Sequence, residues 1–147
     1  MNAIRIRVAG ILTKDEKILL VRHEKNEKIY FLLPGGGIEY GETAEEALIR
    51  EFKEEVGLSV SVSKLVFVQD SIPPNRHRHV LNLYFLVDSS FYALNVTKDA
   101  VLKGADFYLL EEFSKMTVNP DIKTEILDGL KAKWTGDCLY LGNRWKD

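Results

Sequence analysis

The segment of residues 43–56 carries the strongest structural signal in the sequence, because both its ends and its apolar residues follow the rules of an α-helix. Thr43 stands at the N-cap position, and Glu46, three residues later, completes a capping box. Gly57 is suited to the left-handed conformation that ends many helices. At about 100° per residue, one arc of the predicted helix holds Ala44, Leu48, Ile49, Phe52 and Val56.

Three glutamates on this helix are not explained by an ordinary solvated face. Glu51, Glu54 and Glu55 form an i, i+3, i+4 cluster, and Glu55 lies at the edge of the apolar arc. Like charges at this spacing repel by a few tenths of a kcal/mol, and burial beside apolar groups adds to the cost. Glutamate is also a good helix former, so a solvated acidic face is the alternative interpretation. A bound cation would remove the repulsion, and carboxylate oxygens suit Mg²⁺ or Mn²⁺ better than zinc.

Three consecutive glycines precede the helix. Gly35, Gly36 and Gly37 permit close approaches that a Cβ would forbid. In a loop between a strand and a helix, they can bring a backbone carbonyl to a metal ion or amides to a phosphate oxygen. Turns also use glycine freely, so the glycines alone are not specific. Their combination with the carboxylate cluster is specific.

Composition excludes several classes of protein. The 147 residues carry a formal net charge of −2, which gives no basic field for general nucleic-acid binding. The single cysteine, Cys138, cannot form an internal disulfide, as is typical of a reducing compartment. No apolar run approaches the length of a membrane span, and the N-terminus is unlike a signal peptide. We therefore expect one cytoplasmic domain over residues 1–147, with no membrane partner.

The remaining pattern predicts a chain that is rich in strands. Strands are expected at residues 4–8, 18–22, 29–33, 60–68, 79–87 and 107–110. A short helix should begin at Glu111, and a longer one should span residues 120–133, with Asn119 as N-cap and Pro120 in the first turn. Residues 139–145 are either a last strand or a packed extension. This order favours a mixed sheet covered by helices over a doubly wound parallel sheet.

Residues 36–58 match the pattern G-x5-E-x7-R-E-U-x-E-E-x-G-U, in which U is a bulky apolar residue. The matching residues are Gly36, Glu42, Arg50, Glu51, Phe52, Glu54, Glu55, Gly57 and Leu58. Its seven fixed identities would arise by chance about once in 10⁸ starting positions. On this pattern the chain resembles the Nudix hydrolases. Phe31 and Phe52 differ from the residues that are commonest in the family, and neither difference removes a reactive group.

The resemblance implies an α+β Nudix fold, in which a mixed β-sheet is sandwiched between α-helices. It also implies metal-dependent hydrolysis of a nucleoside diphosphate linked to another moiety, with Mg²⁺ or Mn²⁺ as cofactor and a small-molecule nucleotide as substrate. The implied metal ligands are the Gly36 carbonyl oxygen and the carboxylates of Glu51, Glu54 and Glu55. Glu51 and Glu54 are expected to be catalytic, whereas Glu42 and Arg50 are expected to support the loop.

Residues outside the pattern must select the substrate. Arg22 ends a strand close in sequence to the glycines and is a candidate phosphate contact. Arg76 and His79 belong to a cationic loop that either contacts a phosphate or base or is a solvated surface turn. Pro73 falls where ADP-ribose hydrolases of the family carry a proline, but the adjoining Pro74 weakens that hint. The sequence assigns no substrate and does not decide between a monomer and a homodimer.

A domain of a different functional class fits the same resemblance. A Nudix-like domain that has lost catalysis could bind a nucleotide as a sensor or an interaction module. Such a domain need not keep the glutamates on which hydrolysis depends. Because Glu51, Glu54 and Glu55 are all present, the sequence favours the enzyme.

Overall fold

The computed structural model describes residues 2–145, which form nine β-strands and three α-helices. In chain order they are β1 (Ile4–Ile11), β2 (Thr13–Lys14), β3 (Lys17–Lys25), β4 (Lys28–Leu32), β5 (Gly35–Gly37), α1 (Ala44–Val56), β6 (Val60–Ser71), β7 (His79–Ser89), β8 (Leu102–Leu109), α2 (Leu110–Phe113), α3 (Lys123–Lys131) and β9 (Leu139–Asn143). None of these three helices is long and apolar enough to span a membrane.

The strands form two sheets. The first has the order β5-β1-β7-β6-β9, with β1 parallel to β7, β6 parallel to β9, and the other pairs antiparallel. In the second sheet, β3 pairs antiparallel with β2, β4 and β8. Mixed pairing together with helices confirms the predicted α+β fold. The strand β9 also decides between the two alternatives for the C-terminal segment in favour of a strand.

Two apolar clusters lie on opposite faces of β1 and β3, because successive side chains of a strand point in opposite directions. Val8 and Leu19 enter one cluster, which α1 covers with Leu48 and other apolar residues. Ala9 and Leu20 enter the other, to which α2 and α3 contribute. Residues 8–11 of β1 and residues 18–21 of β3 are therefore buried on both faces.

Helix α1 has the ends that the sequence predicts. The Thr43 hydroxyl accepts a hydrogen bond from the Glu46 N–H at 3.1 Å, and the Glu46 carboxylate accepts one from the Thr43 N–H at 3.0 Å. Gly57 has φ 74° and donates its N–H to carbonyl oxygens of the last turn. The capping box and the left-handed glycine are thus confirmed.

The buried face of α1, however, is rotated relative to the prediction. Ile49 was expected in the apolar arc, and this is wrong, since its side chain is 42% exposed whereas Ala47 is fully buried. Ala47 packs in the cluster beneath α1, where its small side chain permits a close approach. At about 100° per residue, Glu51 and Glu55 fall between Ala47 and Leu48. These two carboxylates therefore belong to the face that packs on the strands.

The segment before α3 also differs from the prediction. The predicted helix over residues 120–133 is confined to α3, and its N-cap residue is Ile122, so the assignments of Asn119 as N-cap and of Pro120 to the first turn are wrong. Asn119 donates its N–H to the Phe31 carbonyl oxygen at 2.9 Å, and Phe31 donates its N–H to the Thr117 carbonyl oxygen. The bridge between Phe31 and Val118 and these hydrogen bonds hold the segment beside β4, so the helix begins only at Lys123.

We predict that Thr43→Ala lowers the free energy of unfolding by about 1 kcal/mol, because the Glu46 N–H loses its hydrogen-bond acceptor. Urea denaturation of the purified protein measures the change. Thr43→Ser is the matched control, since it keeps the hydroxyl and should retain most of the stability. Equal losses in both variants, or no loss in Thr43→Ala, would contradict the role of the capping box.

Candidate functional site

The three glycines form the strand β5 at the edge of the first sheet, rather than the loop that the sequence suggested. They pair antiparallel with β1, with Gly35 opposite Ala9 and Gly37 opposite Arg7. A Cβ on Gly35 would overlap the Val8 carbonyl oxygen. Sheet pairing fixes the position of that oxygen, so the close approach requires glycine.

The two faces of β5 adjoin different side chains. A Cβ on Gly36 would overlap the Glu51 carboxylate, and one on Gly37 would lie 3.1 Å from Nη2 of Arg5. Because successive residues of a strand face opposite sides, the missing side chains leave room for a carboxylate on one face and a guanidinium on the other. The strand β5 thus separates an acidic region, which contains Glu51, from a basic region, which contains Arg5.

On the α1 side of β5, the predicted carboxylates have separate partners. Glu51 Oε1 accepts a hydrogen bond from Arg50 Nη1 at 2.8 Å, and Glu54 Oε2 accepts one from the same nitrogen at 3.4 Å. Glu55 Oε1 accepts the Gly35 N–H at 3.1 Å. Each of these contacts engages one carboxylate oxygen. Among residues 2–145, no three His, Cys, Asp or Glu side chains converge closely enough, as they stand, to hold a metal ion.

The environment of Glu55 disfavours its negative charge. Burial raises the pKa of Glu55 to about 7, and the negative charge of Glu51 adds to this effect. The Gly35 N–H and the charge of Arg7 act against it. Within residues 2–145, no basic side chain lies within 4 Å of the Glu55 carboxylate. A cation placed beside Glu55 would stabilise the ionised form.

Arg50 links α1 to the segment that leads into it. Its Nε and Nη2 donate to the two carboxylate oxygens of Glu42 at 3.1 and 2.5 Å, and Nη2 also donates to the Gly37 carbonyl oxygen at 3.1 Å. Glu42 in turn accepts the Glu39 N–H at 2.8 Å. The hydrogen bond from Arg50 lowers the pKa of Glu42, and Glu42 raises the pKa of Arg50. This charged pair fixes the junction between β5 and α1.

On the other side of β5 lies a cavity of about 420 Å³. A volume of this size is typical of sites for small molecules. Its wall includes four arginines, which are Arg5, Arg7, Arg78 and Arg144. No Asp or Glu of residues 2–145 belongs to that wall. The cavity is therefore suited to an anionic ligand.

Comparison with known proteins identifies the family. The sequence profile of the NUDIX domain matches residues 3–128. The chain belongs to the Nudix family. Over 112 residues it is 41% identical to an ADP-ribose pyrophosphatase of Methanocaldococcus jannaschii, an alignment that covers 76% of this chain and 65% of that protein. Over 81 residues it is 35% identical to the 8-oxo-dGTP diphosphatase of Escherichia coli, covering 52% of this chain and 61% of the relative.

A solved structure supports the fold of this Nudix protein. The NUDIX hydrolase from Nitrosomonas europaea superposes with a TM-score of 0.77 at 20% identity, over 89% of this chain and 90% of the other. At that identity the likeness concerns the fold alone. The chain spans less than two thirds of the length of the two named relatives, at 65% and 61%.

The substrate-binding candidates taken from the sequence do not line the cavity. Arg22 Nη2 donates to the Lys103 carbonyl oxygen at 3.4 Å, and His79 Nε2 lies 2.6 Å from Asp70 Oδ1. Arg76 lies in an exposed turn with φ 54°. From the same loop, it is Arg78 that reaches the cavity wall.

Sequence reasoning missed Arg5 and Arg7. Their alternation with Ile4 and Ile6 predicted a strand with a solvated charged face. In the structure, Arg7 is half-buried because β7 pairs along β1 and places Asn82 opposite it. One feature of the sequence could have indicated the burial of Arg7. Ala9 and Ile11 follow Arg5 and Arg7 at the same spacing of two residues, so the face of the strand that carries the arginines becomes apolar.

Gly35→Ala should lower the free energy of unfolding by about 1–3 kcal/mol, because the new methyl group would overlap the Val8 carbonyl oxygen, which the sheet holds in place. Gly136→Ala is the matched control, since a Cβ there meets no atom within 4 Å and should change stability by less than about 0.5 kcal/mol. Urea denaturation compares the two variants. Similar midpoints would show that β5 tolerates side chains at this position.

Proposed function

We propose that this Nudix protein is a metal-dependent pyrophosphohydrolase, which cleaves the diphosphate linkage of a nucleoside diphosphate derivative. The observation that carries the proposal is the position of Glu51 and Glu55 on the packed face of α1, against a strand of glycines. Burying carboxylates among apolar residues lowers stability unless a cation or a donor compensates. Arg50 compensates Glu51, but Glu55 receives only the Gly35 N–H and no basic side chain within residues 2–145, so a cation at this site would account for its position.

The donor set fits Mg²⁺ or Mn²⁺, because every candidate ligand atom is oxygen. Glu51, Glu54, Glu55 and the Gly36 carbonyl would hold the ion. Gly36 leaves space beside the Glu51 carboxylate, and Glu55 lacks a basic partner within residues 2–145. When bound, such an ion would neutralise charge on the diphosphate oxygens and make the attacking water more acidic.

The side chains around the carboxylate cluster have distinct proposed roles. Arg50 and Glu42 fix the junction between β5 and α1, and so orient Glu51 next to Gly36. Glu51 and Glu54 each contact Arg50 Nη1 through one carboxylate oxygen, so the other oxygen of each could ligate a cation. The Glu54 side chain is 62% exposed, so it moves at little cost. A carboxylate oxygen of Glu51 or Glu54 would accept the proton of the water that attacks phosphorus, while the bond from that phosphorus to the bridging oxygen breaks and the oxygen leaves with the other phosphate.

A substrate panel tests the activity. The purified protein is incubated with nucleoside triphosphates, ADP-ribose, nucleotide sugars and dinucleoside polyphosphates, with Mg²⁺, with Mn²⁺ and with excess chelator. We expect release of a nucleoside monophosphate from at least one compound with either ion, and none in chelator. Full turnover in chelator would contradict the metal requirement. Binding without turnover across the panel would favour the non-catalytic nucleotide-binding alternative.

Glu54→Gln and Glu55→Gln should each lower kcat/KM by at least about a hundredfold, because loss of a ligand's charge weakens the cation site. Urea denaturation should show stability unchanged or slightly raised, since repulsion among the carboxylates is relieved. Glu45→Gln is the matched control, because Glu45 is an exposed residue in the first turn of the same helix. A fully active Glu54→Gln protein would remove Glu54 from the catalytic set.

A further inference from the structure

Three arginines of the cavity have no acidic partner within the part of the chain that the structure describes. Arg144 is paired, with its Nη1 lying 2.8 Å from Glu125 Oε1. In contrast, no Asp or Glu of residues 2–145 lies within 4 Å of Arg5, Arg7 or Arg78. Arg5 and Arg7 project from the same face of β1, two residues apart, and Arg78 lies over the Trp145 ring at 5.1 Å. Three unneutralised charges thus meet at one cavity.

Arg7 is the least expected of the three, because it is half-buried. Within residues 2–145, its side chain makes one hydrogen bond, a weak one from Nη1 to Asn82 Oδ1 at 3.5 Å. Burial lowers the pKa of Arg7, and the positive charge of Arg5 adds to that effect. A buried charge without a counter-charge destabilises a fold, so a scaffolding role would call for a carboxylate. Elsewhere in this chain, Arg50 and Arg144 both have one.

The neighbours of Arg7 are held in place by a buried polar network. Asn82 Nδ2 donates to Gln69 Oε1 at 3.1 Å, and the Tyr84 hydroxyl donates to the same oxygen at 3.0 Å. These bonds leave Asn82 Oδ1 directed towards Arg7. His23 also lines the cavity, and its buried Nε2 has no hydrogen-bond partner among residues 2–145. The network therefore holds Asn82 beside Arg7 and supplies no charge that would neutralise the guanidinium.

The cavity and the carboxylates are electrostatically connected across β5. The negative charges of Glu55 and Glu51 act to raise the pKa of Arg7, and the charge of Arg7 acts to lower the pKa of Glu55. Only the glycine strand and its partner β1 separate the two regions. Among residues 2–145, β5 is the edge strand of its sheet, so no further strand lies beyond it between the two faces.

We propose that the cavity binds a phosphate group additional to the scissile diphosphate, so that the preferred substrate carries a further phosphate. This inference rests on the proposed hydrolase function. A phosphate ester carries about two negative charges, and its oxygens match the planar fork of guanidinium groups. A neutral distal ribose, as in ADP-ribose, would leave Arg5 and Arg7 uncompensated. The additional group is either the outer phosphate of a nucleoside triphosphate or a phosphate ester on a ribose.

Two matched substrate pairs test the inference and distinguish these sources. ADP-ribose is compared with ADP-ribose 2′-phosphate, and nucleoside diphosphates are compared with the triphosphates. We expect the phosphorylated member of one pair to have the higher kcat/KM by about tenfold or more, chiefly through a lower KM. The pair that shows the preference identifies the source. Metal-dependent turnover with equal kcat/KM in both pairs would overturn the inference and leave the hydrolase function standing.

Substitutions of the arginines test whether they cause the preference for the phosphorylated substrate. Arg7→Met and Arg5→Met should each reduce the preference by about tenfold, mainly by raising KM for the phosphorylated member. Arg7→Lys keeps the charge without the planar fork and should retain part of the preference. Lys131→Met, which removes an exposed positive charge away from the cavity wall, should retain all of it. A preference that survives in both methionine variants would overturn the assignment.

Binding of inorganic tripolyphosphate gives a readout that does not depend on turnover. Calorimetry in excess chelator should detect binding to the unsubstituted protein, weakened about tenfold by Arg7→Met. Thermal denaturation of the ligand-free proteins should place the Tm of Arg7→Met at or above that of the unsubstituted protein, because an uncompensated charge is removed. Should Arg7→Met fail to fold, Arg5→Met, at an exposed position, makes the same comparison. Tripolyphosphate binding that is lost in Arg7→Met, in a protein that hydrolyses no substrate, would support the cavity while refuting the hydrolase.

Discussion

The pairing of β5 with β1 is the constraint on which the rest of the site depends. A strand of three glycines approaches the backbone of β1 so closely that even one methyl group at Gly35 would overlap it. Edge strands normally carry side chains that protect or fill their surroundings. Here the side chains are missing on both faces, and each face is filled by a group from elsewhere in the chain. Pairing with β1, together with hydrogen bonds to the side chains of Arg50 and Glu55, holds β5 between the carboxylates of α1 and the arginines of β1.

The glycine strand also explains how a helix can bury two glutamates. Glu51 and Glu55 face β5, and Gly36 and Gly35 offer them empty space and an N–H donor respectively. On an ordinary strand, apolar side chains would occupy that space and exclude the carboxylates. The capping box and the left-handed Gly57 set where the helix begins and ends. The position of the carboxylates along β5 therefore follows from local signals at both ends of α1.

Features set by local sequence were predictable, and those set by tertiary contacts were not. The caps of α1 depend on residues a few positions apart, so the pattern predicted both. Ala47 is buried and Ile49 is exposed because of the strands against which α1 packs. A helical wheel shows the angular positions of residues and gives no information about those strands. Asparagine is a common N-cap residue, but the N–H of Asn119 is hydrogen-bonded to the Phe31 carbonyl oxygen of β4. The burial of Arg7 follows from its parallel neighbour β7, which is distant in sequence.

The contacts of Arg50 have a consequence for the strength of ion binding. Its Nη1 lies against both Glu51 and Glu54, so the acidic cluster carries a tethered counterion of its own. A divalent ion bound as proposed would have to compete with this guanidinium, which Glu42 also holds in place. The competition would set the affinity for the ion below the value that three carboxylates without a counterion would give. An ion held in this way could exchange readily, while Arg50 keeps the acidic cluster neutralised in its absence.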